Sequence, residues 1–361
     1  MTLGRSSAII VERVATPVRA MHGSISESWF KRLGTVAVRA GDAHRVTSDI
    51  VYDSVVALAS VIGPGVDAAF NTDSAAAIRA RAVVNSLWGD DLGQHNDFLS
   101  IPMTAHHASG DTVHNASGPP PVTTGRLVIL VHGLSDTESC WAGEFGLLSE
   151  LDQNDELTSV TIRYNPGLAI AENGRDLADL IDDMIAGWPV AVESVALVGY
   201  SMGGLVIHQA LEAAHAADQR WVDVVGDVIS IAAPHRGSWI ESAVSAAAWG
   251  LGIAPHTRPL ADFLDTRSRG IRDLRHGAPA THTGWVPPHA QFHFVSGTVT
   301  NEPAHPIGVL VGDLVVQTDS ASNHPHLVAA NSVVLGGTHH LNLLDDPATT
   351  GQIMEWITAT S

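Results

Sequence analysis

From Arg126 to the C-terminus, short apolar runs alternate with longer amphipathic stretches, and this alternation constrains the fold more than any other feature of the chain. "RLVILVHG", "LTSVTIRYN", "SVALVGY", "VVGDVISIAAP", "QFHFVSGTV" and "NSVVLGG" read as strands. Between and after them, "CWAGEFGLLSEL", "IAENGRDLADLIDDMIAGW", "GGLVIHQALEAAHAA" and "PATTGQIMEWIT" read as helices. Parallel neighbours need a crossover of about a dozen residues, and helices supply it while covering both faces of the sheet. The pattern predicts an α/β fold with a mostly parallel central sheet flanked by helices. It lapses between Pro234 and Pro288, where "WIESAVSAAAWGLGI" and "PLADFLDTRSRGIRDLRHG" read as two helices. A lid insertion over about 234–288 is expected there, with Trp239, Trp249 and Leu251 as candidate pocket or lid residues.

Upstream, Ser24 to Leu92 reads as helical. Ile50, Val51, Val55, Leu58 and Ile62 recur at helical spacing until Gly63-Pro64-Gly65. A weaker pattern through Ile78, Val83 and Leu87 ends at Gly89. "FLSIPMTAHH" and "DTVHN" are expected to pair as a hairpin across Ser109-Gly110, before the proline-rich connector "ASGPPPVTTG". The expected division is a helical N-terminal extension over 1–97 and an α/β domain over 98–361.

Within the alternation, Gly199-Tyr200-Ser201-Met202-Gly203 joins a buried strand directly to a helix. A serine between glycines at such a junction fits the nucleophile elbow: a strained turn lifts the hydroxyl clear of the sheet, and the glycines let backbone pass close by. The alternative is a serine that merely caps the helix. Serine needs a base and an orienting carboxylate, which in this arrangement follow in the order Ser, Asp or Glu, His. Asp313 and His340 supply that order, with Asp319 and His339 as neighbours of the same chemistry. Two backbone N–H groups should face the oxyanion, those of Met202 after the serine and Leu134 after "LVILVHG".

Composition narrows the partners. The chain of 361 residues carries a formal charge of -19, and its only lysine is Lys31. A nucleic-acid partner is therefore not expected, since phosphate binding needs clustered cations. The sole cysteine, Cys140, excludes an intrachain disulfide and a cysteine-based metal site. His106-His107 and His324-Pro325-His326 lack an accompanying carboxylate cluster and read as surface loops. No metal or cofactor is expected. The first residues lack an apolar run long enough for a signal core or a membrane span, so a cytoplasmic protein without stable membrane insertion is predicted.

Together, "LVILVHGL", "LVGYSMGGLV", "IAAPHRGSW", "RSRGIRDLRHG", "GDLVVQTDSA" and "THHLNLLDDP" resemble, in that order, the α/β-hydrolase superfamily, and within it a bacterial esterase/lipase group related to PGAP1-like hydrolases. The resemblance runs from about Phe98 to the C-terminus. It implies a Ser201–Asp313–His340 triad, the histidine being the one that precedes an x-x-Leu-Leu run, and hydrolysis of small-molecule or lipid-like carboxylic esters through an acyl-enzyme. Thioester, amide and polyester cleavage are alternatives on the same fold, as is a non-catalytic binding role. Two positions depart from the group's pattern: Ala233 stands where a threonine is common, and Leu314 follows Asp313 in place of glycine.

Overall fold

The computed structural model describes residues 74–94, 99–107, 112–113, 123–236, 268–274, 285–305, 313, 316–322, 329 and 331–359. Apart from Ser74–Arg81, Gln94 and Leu99, these belong to one compact unit built from Ala82–Gly93, Ser100–Ile240 and Ser268–Ser361. Most of the expected N-terminal extension, including Ile50 to Gly65, lies outside the described residues. So do Trp239, Trp249, Leu251, His324 and His326.

The first described helix is α1 (Ala75–Gln94), and β1 (Thr104–His106) follows. The regular alternation then runs β2 (Arg126–Val131), α2 (Leu147–Asp152), β3 (Thr158–Arg163), α3 (Ile170–Ala186), β4 (Ser194–Tyr200), α4 (Met202–Ala216) and β5 (Val225–Ile231). The short helix α5 (Arg269–Leu274), β6 (Gln291–Thr298), α6 (Thr318–Ser322), β7 (Asn331–Gly336) and α7 (Pro347–Ala359) complete it. The seven strands lie in the order β1-β3-β2-β4-β5-β6-β7. Every neighbouring pair is parallel except β1 against β3.

Strand side chains alternate between faces, so one apolar strand feeds two cores. Leu127, Ile129 and Val131 of β2 join Val195 and Leu197 of β4 on the face covered by α3 and α4. Val128 and Leu130 join Ala196, Val198 and Tyr200 on the opposite face, under α2 and α7. All five β2 residues are at most 1% exposed, which is why this strand reads as an unbroken apolar run. Each buried aliphatic side chain contributes about 1.5–3 kcal/mol. The N-terminus of α3 lacks a side-chain cap of its own, and Asp273 of α5 accepts the Ile170 N–H at 2.9 Å instead.

Three local expectations change. "CWAGEFGLLSEL" is not one helix: a 3-10 turn (Glu138–Trp141) ends before Gly143, and α2 begins only after Gly146. The residues between are held as a loop, with the Phe145 N–H donating to Asp345 Oδ1 at 2.7 Å. Helix α1 continues past Gly89 to Gln94, broken at Trp88 (φ -138, ψ 17). The expected hairpin is present in the described residues as an antiparallel bridge between His106 and Thr112, with the Val113 N–H donating to Ala105 O at 2.8 Å, while β1 pairs along its other edge with β3. His106 and His107 are buried, not on a surface loop, and His106 Nε2 lies 2.8 Å from Thr104 Oγ1.

Candidate active site

Four parallel strands deliver the candidate residues at their C-terminal ends, where open α/β sheets place their ligands. β4 ends at Tyr200, and Ser201 follows with φ 52 and ψ -121. A serine in this sparsely populated region costs on the order of 1–3 kcal/mol, so surrounding structure must enforce it. Its N–H donates to Ile231 O at 2.8 Å, and its carbonyl accepts from Gly204 N–H at 3.2 Å. The motif glycines are required by close approach: a Cβ on Gly199 would meet Gly204 N at 2.5 Å, and one on Gly203 would collide with the Val131 carbonyl.

β6 and β7 bring the other two residues beside it. His340 Nδ1–H donates to Asp313 Oδ2 at 2.7 Å, which leaves His340 Nε2 as acceptor for the Ser201 hydroxyl, 3.0 Å away. The protons follow from chemistry, since a carboxylate can only accept. Ser201, Asp313 and His340 are all buried. The second Asp313 oxygen, Oδ1, accepts the Val316 N–H at 2.7 Å, and the His340 N–H donates to Asp313 O at 3.0 Å. His339 is exposed, while Leu343 and Leu344 are buried beneath the turn that carries His340. Asp319 pairs instead with Arg236, Nη1 to Oδ2, at 2.6 Å.

Met202 opens α4, so its N–H has no acceptor within the helix and sits at the positive end of the helix dipole. Leu134, partly buried, lies in the turn after β2. That turn abuts the serine: a Cβ on Gly133 would stand 3.0 Å from Ser201 Cβ. Sequence reasoning did not assign Tyr200 a role, yet its hydroxyl donates to His340 O at 3.0 Å and its ring lies 5.1 Å from the imidazole. Burial, then Asp136 and Cys140, hold the Tyr200 phenol well above its ordinary range, so it remains a donor. Tyr200 occupies the variable position between the first glycine and the serine, and a phenol there was the available signal. No comparable signal marked Val316, whose contribution is a backbone N–H.

Comparison with known proteins agrees with this architecture. A lipase of Bacillus licheniformis in its propeptide form is 21% identical, with a TM-score of 0.51 and a match over 72% of this chain and 54% of that one. This chain thus spans about half the length of the propeptide form. The mature form of that lipase is 21% identical, with a TM-score of 0.49 over 71% and 99% of the two chains. An esterase of Pyrobaculum calidifontis is 14% identical, with a TM-score of 0.43 over 81% and 95%. No curated protein matches the sequence. The family model described as the alpha/beta hydrolase family matches residues 128–352, the span that carries β2 to β7, the serine elbow and His340, and the chain belongs to that family.

Proposed function

We propose that the protein is a serine hydrolase of carboxylic esters. The observation that carries the proposal is the continuous hydrogen-bond line from Ser201 Oγ through His340 to Asp313. In the proposed reaction His340 Nε2 takes the hydroxyl proton as Ser201 Oγ bonds to the ester carbonyl carbon. Met202 and Leu134 N–H groups receive the oxyanion. The imidazolium, stabilised by Asp313, then protonates the leaving alcohol as the C–O bond breaks. Water, deprotonated by the same imidazole, attacks the acyl-enzyme; collapse releases the acid and returns the proton to Ser201.

The sequence motifs favour a bacterial esterase/lipase group related to PGAP1-like hydrolases, a finer assignment that belongs to the same proposal. Residues Trp239, Trp249 and Leu251 are proposed to line the acyl side, which substitution to alanine would reveal as a changed preference for acyl length. The substrate is proposed to be a neutral or lipid-like ester, consistent with the acidic chain.

The test is hydrolysis of p-nitrophenyl esters of rising acyl length by the wild type and by Ser201→Ala. Wild-type turnover on part of the series and a loss of roughly 10⁴-fold or more in the variant are expected. A folded Ser201→Ala protein retaining a tenth of the rate would require another nucleophile. Absence of wild-type turnover across the series would transfer the reading to thioesters, amides or binding.

A further inference from the structure

We propose that His132 is a positioning residue for the oxyanion site: its ring clamps the Gly133 carbonyl and thereby turns the Leu134 N–H toward Ser201. This inference rests on the ester-hydrolase reading above and adds to it a residue that never touches substrate.

The His132 Nδ1–H donates to Gly133 O at 2.8 Å, and a carbonyl can only accept, so the tautomer is fixed. The Gly133 carbonyl and the Leu134 N–H belong to one planar trans peptide and point in opposite directions. Holding the carbonyl therefore aims the N–H.

Sheet order gives the direction. β2 has β3 on one side and β4 on the other. The His132 ring stacks at 4.4 Å on Tyr164, which directly follows β3, and the Tyr164 hydroxyl donates to His132 O at 2.9 Å. Both clamps thus lie on the β3 side. Ser201 follows β4, and the Gly133 position lies against Ser201 Cβ and the Tyr200 ring and carbonyl. With its carbonyl held toward β3, the Gly133–Leu134 peptide presents its N–H to the β4 side, where the serine stands. An imidazole with no exposed surface and a phenol with none make this a rigid support, as an oxyanion site requires. Downstream the same loop is fastened by the Arg163–Glu138 pair, with Arg163 Nε donating to Glu138 Oε2 at 2.7 Å.

The test compares His132→Leu, which removes the donor, with His132→Asn, whose side-chain amide can place an N–H near the position of the imidazole Nδ1–H. Steady-state hydrolysis of p-nitrophenyl butyrate is measured beside inhibition by phenylboronic acid, whose serine adduct is tetrahedral and negatively charged. His132→Leu is expected to lose about 10²-fold in kcat with KM within about twofold, and boronate affinity should weaken in parallel. His132→Asn should recover most of both. Tyr164→Phe keeps the stacking and loses one clamp, so a drop of about fivefold in kcat at unchanged KM is expected.

Equal losses in the Leu and Asn variants, or wild-type kcat in folded His132→Leu, would overturn the assignment. If His132→Leu does not fold, an unchanged kcat in Tyr164→Phe overturns it alone. These results leave wild-type turnover intact, which separates them from failure of the ester-hydrolase reading. A wild type that neither hydrolyses the ester nor labels with a fluorophosphonate would overturn both.

Discussion

His132 illustrates how burial sets a single residue's chemistry. Desolvation lowers its imidazole from 6.5 to about 4; the Gly133 hydrogen bond and Glu138 oppose this, and Arg163 adds to it. The unfolded chain binds a proton below about 6.5 that the folded chain refuses until about 4. Stability contributed by this residue is therefore present above pH 6.5 and is lost as pH falls toward 4. At about 1.4 kcal/mol per unit, the loss is on the order of 3 kcal/mol. Urea unfolding of the wild type and His132→Asn at pH 7 and pH 4.5 checks this, since the variant should lose less stability between the two. Equal losses would mean that the imidazole takes up its proton alike in both states. Sequence placed His132 at the end of the strand run "RLVILVHG" but gave no sign of Tyr164, 32 positions on, as its partner. The choice between His339 and His340 was likewise open on chemistry alone. Exposure separates them, because the 3-10 turn beginning at His340 buries one ring and leaves the other in solvent.

At the scale of elements, β5 and β6 share a buried polar pair far from their site-bearing ends. His293 Nε2–H donates to Asp227 Oδ1 at 2.9 Å, Asn331 Nδ2 donates to His293 Nδ1 at 3.1 Å, and Trp356 of α7 stacks on the ring at 4.6 Å. Removing the carboxylate strands a buried donor, which costs about 1–3 kcal/mol. Asp227→Ala should thus unfold at lower denaturant, while kcat of the folded fraction stays within about twofold of the wild type. A kcat loss matching the stability loss would show that the strand bottoms are coupled to the site. Parallel strands were legible because apolar runs and intervening amphipathic stretches are local features. The pairing of β1 with β3 was not legible, because β3 is remote in sequence. The glycine-interrupted stretch before α2 misled for a related reason: an apolar pattern persists across Gly143 and Gly146, while Asp345, some 200 residues later, holds it as a loop.

Over the whole molecule, the acidic surplus has a kinetic consequence. A formal charge of -19 repels anionic substrates at a range set by ionic strength. For an ester bearing a carboxylate, kcat/KM should rise severalfold between roughly 0.01 M and 0.3 M salt, whereas a neutral ester of the same alcohol should respond weakly. The same slope for both esters would place the charge away from the approach to Ser201. Among the described residues no helix is long and apolar enough to cross a membrane.

The central claim is that Ser201 is the nucleophile and that His340, not His339, activates it. Peptide mapping by mass spectrometry after brief treatment with a fluorophosphonate measures this directly, because the reagent bonds only to an activated oxygen. One adduct is expected, on the peptide containing Ser201, formed at near wild-type speed in His339→Ala and slowed by about 10³-fold or more in His340→Ala. An adduct on another residue, or rapid labelling of Ser201 in folded His340→Ala, would contradict it.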